Sequence, residues 1–192
     1  MEIYEMSLGE LDSGLRAGAF SLSEVFESLV NRIEAREKIT QAFIELDIDF
    51  VRNQIDQINS QDRATRLSGI PFGVKDIFNT KDWVTSYGSR IFEGHQPLCD
   101  AAVVSQLRSA GGVVMGKTVT TEFAYFFPGK TRNPHHPDHT PGGSSQGSAA
   151  AVADFMLPFA IGSQTAASVI RPAAFCGVVG YKASAGQFPL NG

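Results

Sequence analysis

The chain has 192 residues, 43% of them hydrophobic and 19% charged, which is enough apolar surface for a packed core and excludes an intrinsically disordered protein. Its formal net charge of -4 gives no support for a nucleic-acid or anionic-membrane surface. The opening residues MEIYEMSLGE do not read as a signal peptide, and no run approaches the roughly 18 uninterrupted apolar residues of a spanning helix, so no membrane association is expected.

Residues 1–68 carry a net charge of -6 and only three glycines, while all nine prolines lie beyond them. That contrast divides the chain into an N-terminal helical segment, 1–68, and a turn-rich core, 69–192. In the first part, Ser7-Leu8-Gly9-Glu10 and Ser21-Leu22-Ser23-Glu24 fit capping boxes. After Ser21 the spacing of Leu22, Val25, Phe26, Leu29, Val30 and Ile33 predicts one apolar helix face. Residues 42–46 suit a short strand, and Ile48, Val51, Ile55 and Ile58 predict another helix. In the second part, residues 70–74 predict a strand, and Asp100 is placed to cap a helix carrying Val103, Val104 and Leu107. Strands are expected at 113–115 and 157–161, with a helix between them at 148–155. This alternation predicts an α/β fold around a mainly buried sheet. Cys99 and Cys176 stand in no CxxC pair, which predicts reduced thiols and a cytoplasmic protein.

Three motifs invite a functional reading. Gly111 to Thr118 matches the phosphate-loop pattern G-x4-G-K-[ST], but its strand-like residues fall inside the supposed loop. Gly143-Ser144-Ser145-Gln146-Gly147 matches the nucleophile elbow G-x-S-x-G, but a Pro- and His-rich loop precedes it and no histidine follows His139. His135, His136 and His139 could form a metal cluster, but Pro137 opposes a helix through them, and a solvated loop is expected. No metal site is expected from these residues.

Two further stretches are small and polar, Pro141 to Ser148 and Gly162 to Ser168. Small residues let a substrate approach the backbone, and successive free N–H groups can hold an oxyanion. Upstream, Lys75 ends an apolar strand, where burial would lower its pKa. Serines beside such a lysine suggest Ser-Lys nucleophilic catalysis; serine-rich turns and a surface lysine are the alternative.

Four segments appear in order: GIPFGVKDIFNTKDWVTSYGS, AGGVVMGKTVTTEFA, NPHHPDHTPGGSSQGSAAAVA and GSQTAASVIRPAAFCGVVGYKAS. Over about residues 69–186 they resemble the amidase signature family. The resemblance implies an α/β fold with a mixed, largely buried central sheet covered by helices, and a Ser–cis-Ser–Lys triad. Lys75 of the V-K-D motif is its base, Ser144 of G-G-S-S its bridging residue and Ser168 its nucleophile, with a cis peptide at Gly143–Ser144. It also implies an oxyanion hole at Thr165, Ala166 and Ala167, with Ser145 and Ser163 in support and no cofactor. Where many members have G-T-D-T-G-G-S, this chain reads GSQTAAS, and alanine penalises a positive φ that glycine allows. Members run well past residue 192, so the chain is expected to be part of a longer protein, with later strands and much of the substrate pocket beyond it.

The implied activity is an amidohydrolase that cleaves a carboxamide C–N bond through an acyl-enzyme, on a small-molecule amide, with a homodimer possible. The alternatives are the amidase subunit of a tRNA-dependent amidotransferase and a non-catalytic fragment. Arg171 is the one Lys or Arg between Arg132 and Lys182. It is either a structural partner for a carboxylate or an anchor for a substrate's carboxylate.

Overall fold

The computed structural model describes residues 2–58 and 65–192. Six α-helices and four strands follow in the order α1 (Leu8–Ala17), α2 (Leu22–Thr40), β1 (Phe43–Glu45), α3 (Ile48–Gln57), β2 (Pro71–Lys75), α4 (Ala102–Ser109), β3 (Val113–Thr118), α5 (Gln146–Ala153), β4 (Ala160–Ile161) and α6 (Ile170–Cys176). The sheet order is β1-β3-β2-β4. β2 runs parallel to both β3 and β4, while β1 is antiparallel to β3, so the sheet is mixed. All residues of β2 and β3 are buried. The sheet is thus largely buried, as the alternating pattern predicts, and mixed, as the family resemblance implies.

The helical first third forms as its local signals dictate. Ser7 and Ser21 both close complete capping boxes, with Glu10 and Glu24 reaching back to the cap N–H groups. The apolar face of α2 joins α3 and the sheet in one continuous core that runs from Leu11 to Cys176. Among the described residues, no helix is long and apolar enough to cross a membrane.

Three local expectations need correction. Asp100 does not cap α4. Ala101 takes that position without a side-chain bond, while Asp100 accepts the Lys81 N–H at 2.9 Å and pairs with Arg108 at 3.1 Å. The helix expected at 148–155 starts and ends two residues earlier, and the strand expected at 157–161 pairs only over Ala160–Ile161. The early start of α5 depends on Gly147. A Cβ there would lie 2.2 Å from the Ala42 carbonyl oxygen and 2.4 Å from the Val119 nitrogen. Glycine therefore lets the helix begin directly against the end of β3.

The far end of α5 is fixed by charge. Asp154 is buried and receives Arg32 at 2.9 Å, Arg36 at 2.8 Å and the Thr40 hydroxyl, all from α2. Asp154→Ala removes the shared acceptor of two half-buried guanidinium groups. It is expected to destabilise the protein by about 3 kcal/mol, read as a lower thermal midpoint, because a buried pair broken on one side leaves charge uncompensated.

Candidate active site

β2 ends at Lys75, whose side chain is fully buried. Lys75 pairs in register with Thr118 of β3, so it shares a sheet face with that residue. The Thr118 hydroxyl meets the Ser148 hydroxyl of α5 at 2.7 Å, which places the start of α5 on the Lys75 side. Before that helix the chain makes a turn containing the cis peptide Gly143–Ser144. The outcome is a tight polar cluster: Lys75 Nζ lies 2.7 Å from Ser144 Oγ and 2.7 Å from Ser163 Oγ. Burial lowers the Lys75 pKa from its ordinary 10.5 to about 7, so a large fraction is neutral amine at neutral pH. Its two partners are hydroxyls, which can donate to an amine lone pair as well as accept from it. Asp76, next in sequence, contacts Lys117 at 3.1 Å and not Lys75.

Ser145 braces the cluster from behind. Its N–H donates to the Ser168 carbonyl at 3.0 Å and its hydroxyl to the Ser163 carbonyl at 3.2 Å. Gly162 makes room for it, since a Cβ there would lie 2.6 Å from Ser145 Oγ. Ser168 is half-buried and is joined to this network through its backbone. Among the described residues its hydroxyl has no hydrogen-bond partner, so Lys75, Ser144 and Ser163 are brought into contact while Ser168 is held beside them.

Thr165, Ala166 and Ala167 form an accessible bend between β4 and α6. None of the three has a positive φ, so alanine carries no backbone penalty where many members have glycine. Among the described residues, the N–H groups of 165–168 have no protein acceptor. The Gln164 side chain instead takes the next two, Val169 at 2.8 Å and Ile170 at 2.9 Å, which fixes the bend against α6. Arg171 is exposed on α6 and, among the described residues, pairs with no carboxylate. Asp154, the acidic residue nearest to it in sequence, is committed to α2.

The rejected motifs have structural explanations. Lys117 of the phosphate-loop match lies inside β3 with its ammonium buried. Ser145, the elbow position, is 2% exposed, and its hydroxyl donates to the Ser163 carbonyl. His135 bonds the Cys176 carbonyl at 2.8 Å, and His136 meets His139 edge to face. Among the described residues no group of three metal-ligating side chains occurs. Both cysteines are unpaired, and burial pushes the Cys176 thiol up to about 12, which makes it inert.

Sequence reasoning missed two supports of the site. The Thr121 N–H donates to the Ser144 carbonyl at 3.2 Å, and Gln164 caps two N–H groups. A polar residue shortly before a helix start was the available signal for Gln164. Thr121 gave none, because its contact is made by the backbone.

The Amidase family model matches residues 24–192, and the chain belongs to this family. It is 41% identical over 194 residues to a glutamyl-tRNA(Gln) amidotransferase subunit from Halothermothrix orenii, covering 97% of this chain and 39% of that protein. The corresponding protein from Natranaerobius thermophilus is also 41% identical, over 100% of this chain and 41% of its own length. Among solved structures, the peptide amidase from Stenotrophomonas maltophilia superimposes with a TM-score of 0.77 at 34% identity, over 88% of this chain and 38% of that one. The chain therefore spans about 40% of the length of the relatives it matches.

Proposed function

We propose that this chain carries the nucleophilic machinery of an amidohydrolase, with Lys75 as base, Ser144 as proton bridge and Ser168 as nucleophile. The observation that carries the reading is the buried Lys75 amine, placed 2.7 Å from the Ser144 hydroxyl and, among the described residues, paired with no carboxylate. Neutral Lys75 takes the proton of Ser144, and Ser144 takes that of Ser168 once its hydroxyl turns toward the bridge. The Ser168 oxygen attacks the amide carbonyl. The N–H groups of residues 165–168, which among the described residues have no protein acceptor, receive the developing oxyanion. The relay then returns a proton to the leaving nitrogen, and water releases the acyl group from Ser168. Ser163 and Ser145 keep Lys75 and the bend in place. Each step uses a side chain or an N–H group of this chain, so the proposed mechanism calls on no cofactor.

A second reading follows from the relatives named as amidotransferase subunits. Here the same triad would release ammonia from glutamine inside a larger assembly. The complete protein separates the two. Ammonia released from simple amides without ATP or partner supports the hydrolase; glutamine-specific release only within a complex supports the amidotransferase.

Arg171 bears on the substrate. An exposed guanidinium three residues after Ser168, unpaired among the described residues, suits bidentate binding of a carboxylate. The substrate proposed is a small molecule with an amide at one end and a carboxylate at the other, as in malonamate-like compounds; glutamine also carries both groups. Arg171→Met in the complete protein is expected to lower kcat/KM for an anionic amide by about 30-fold or more, the scale of a lost charge-assisted pair, and to spare a neutral amide of equal size. Equal losses for both would assign Arg171 to the fold.

A further inference from the structure

The structure holds a second fully buried lysine whose surroundings are the reverse of the first. Lys117 Nζ is ringed by five oxygens: the Asp76 carboxylate at 3.1 Å, the Phe78 carbonyl at 3.0 Å, the Val84 carbonyl at 3.3 Å, and the hydroxyls of Thr80 at 3.0 Å and Thr85 at 2.6 Å. Three of these can only accept a hydrogen bond. A neutral amine has two N–H groups and cannot serve three such acceptors, whereas an ammonium can. This ring of acceptors suits an ammonium at Lys117 and opposes the lowering of its pKa by burial, while Lys75 faces two hydroxyls that suit a neutral amine.

The two lysines lie on opposite faces of the sheet. Lys117 pairs in register with Val74, and Lys75 with Thr118. Asp76 falls on the Lys117 side and is held there by the Ser86 hydroxyl at 2.5 Å and the Ser86 N–H at 3.1 Å. Resting on the amidase reading above, we propose that Lys117 is a positioning residue: its ammonium pins the Asp76 carboxylate and the 76–85 turn to the face away from Lys75, so that Lys75 meets hydroxyls alone. The paired charges cancel beneath the base, which lets burial alone set its proton affinity.

The other charged groups around the base leave this balance intact. Burial lowers the Lys117 pKa, and Asp76, Glu45 on β1 and Asp100 ahead of α4 act against it; burial and then the Asp76 charge raise that of Tyr87. At the end of α5, Asp154 is engaged by α2, and Arg171 on α6 is exposed.

The test compares Lys117→Met, Asp76→Asn and the double variant in the complete protein, by the pH dependence of inactivation with a fluorophosphonate. A unit charge about 10 Å away at an effective dielectric near 20 moves a pKa by about one unit. Lys117→Met uncovers the carboxylate and is expected to raise the apparent pKa of the alkaline rise by that amount. Asp76→Asn uncovers the ammonium and is expected to lower it, and the double variant should return close to wild type. A general loss of packing would not move the two single variants in opposite directions. Unchanged midpoints, or shifts of one sign, overturn the proposal. If Lys117→Met does not fold, Asp76→Asn decides alone: a downward shift supports the proposal, and no shift or an upward one overturns it. A wild-type pH rise that survives Lys75→Ala would instead overturn the amidase reading, and this inference with it.

Discussion

Lys75→Ala is expected to lower turnover of the complete protein by about a thousandfold or more, while the protein stays folded. Among the described residues the amine is the one basic side chain in contact with the Ser144 hydroxyl, and a positioned general base, the role proposed for it, contributes about 10²–10⁴ in rate. The pH dependence follows from burial. With a pKa of about 7, the amine gains its catalytic form as pH rises through neutrality, so kcat/KM should climb between about pH 6 and 8 and then level. Stability moves in a related way. The unfolded lysine holds its proton up to about 10.5, and the folded one gives it up near 7. Between those values the unfolded chain binds more protons, so Lys75 costs stability there, least near pH 10.5 and fully below pH 7. Lys75→Met should therefore abolish turnover yet hold or raise the thermal midpoint at pH 7. A lower midpoint together with lost turnover would mean that the lysine serves packing rather than chemistry.

Ser168→Ala is expected to abolish acyl-enzyme formation, leaving turnover at least about 10⁴-fold below wild type, because residues that act as one catalytic unit fail together. The substitution removes a hydroxyl that, among the described residues, has no hydrogen-bond partner, so the fold loses little. The Ser145 N–H bond to the Ser168 carbonyl stays, since alanine keeps the backbone. Adding Lys75→Ala to Ser168→Ala should bring almost no further loss. The measurements are burst kinetics and the thermal midpoint. A residual burst would show that another residue accepts the acyl group.

What could be read from the sequence follows the range of the interactions involved. Capping boxes and the Leu22–Ile33 face arise within a few residues and form as the spacing dictates. The start of α5 was misplaced because it depends on Gly147 meeting the Ala42 carbonyl, about a hundred residues earlier. Asp100 had the look of a cap, but its partners are Lys81 and Arg108, which compete for the same carboxylate. Local composition pointed to a buried lysine near small polar turns and went no further. The Lys75–Ser144 contact spans 69 residues, and a match of four ordered motifs was needed to bring those positions together. Lys117 drew notice only through a formal phosphate-loop match, although the paired acid lies at the end of the neighbouring strand.

Mass spectrometric mapping of a fluorophosphonate adduct on the complete protein tests the central claim most directly. Ser168, Ser144 and Ser145 lie in one small region, and only the residue that acts as the nucleophile should carry the label. The account predicts a single adduct on Ser168, formed faster as pH rises through 7 and lost in Lys75→Ala. An adduct on Ser145, or one on Ser168 that forms equally well without Lys75, would contradict it.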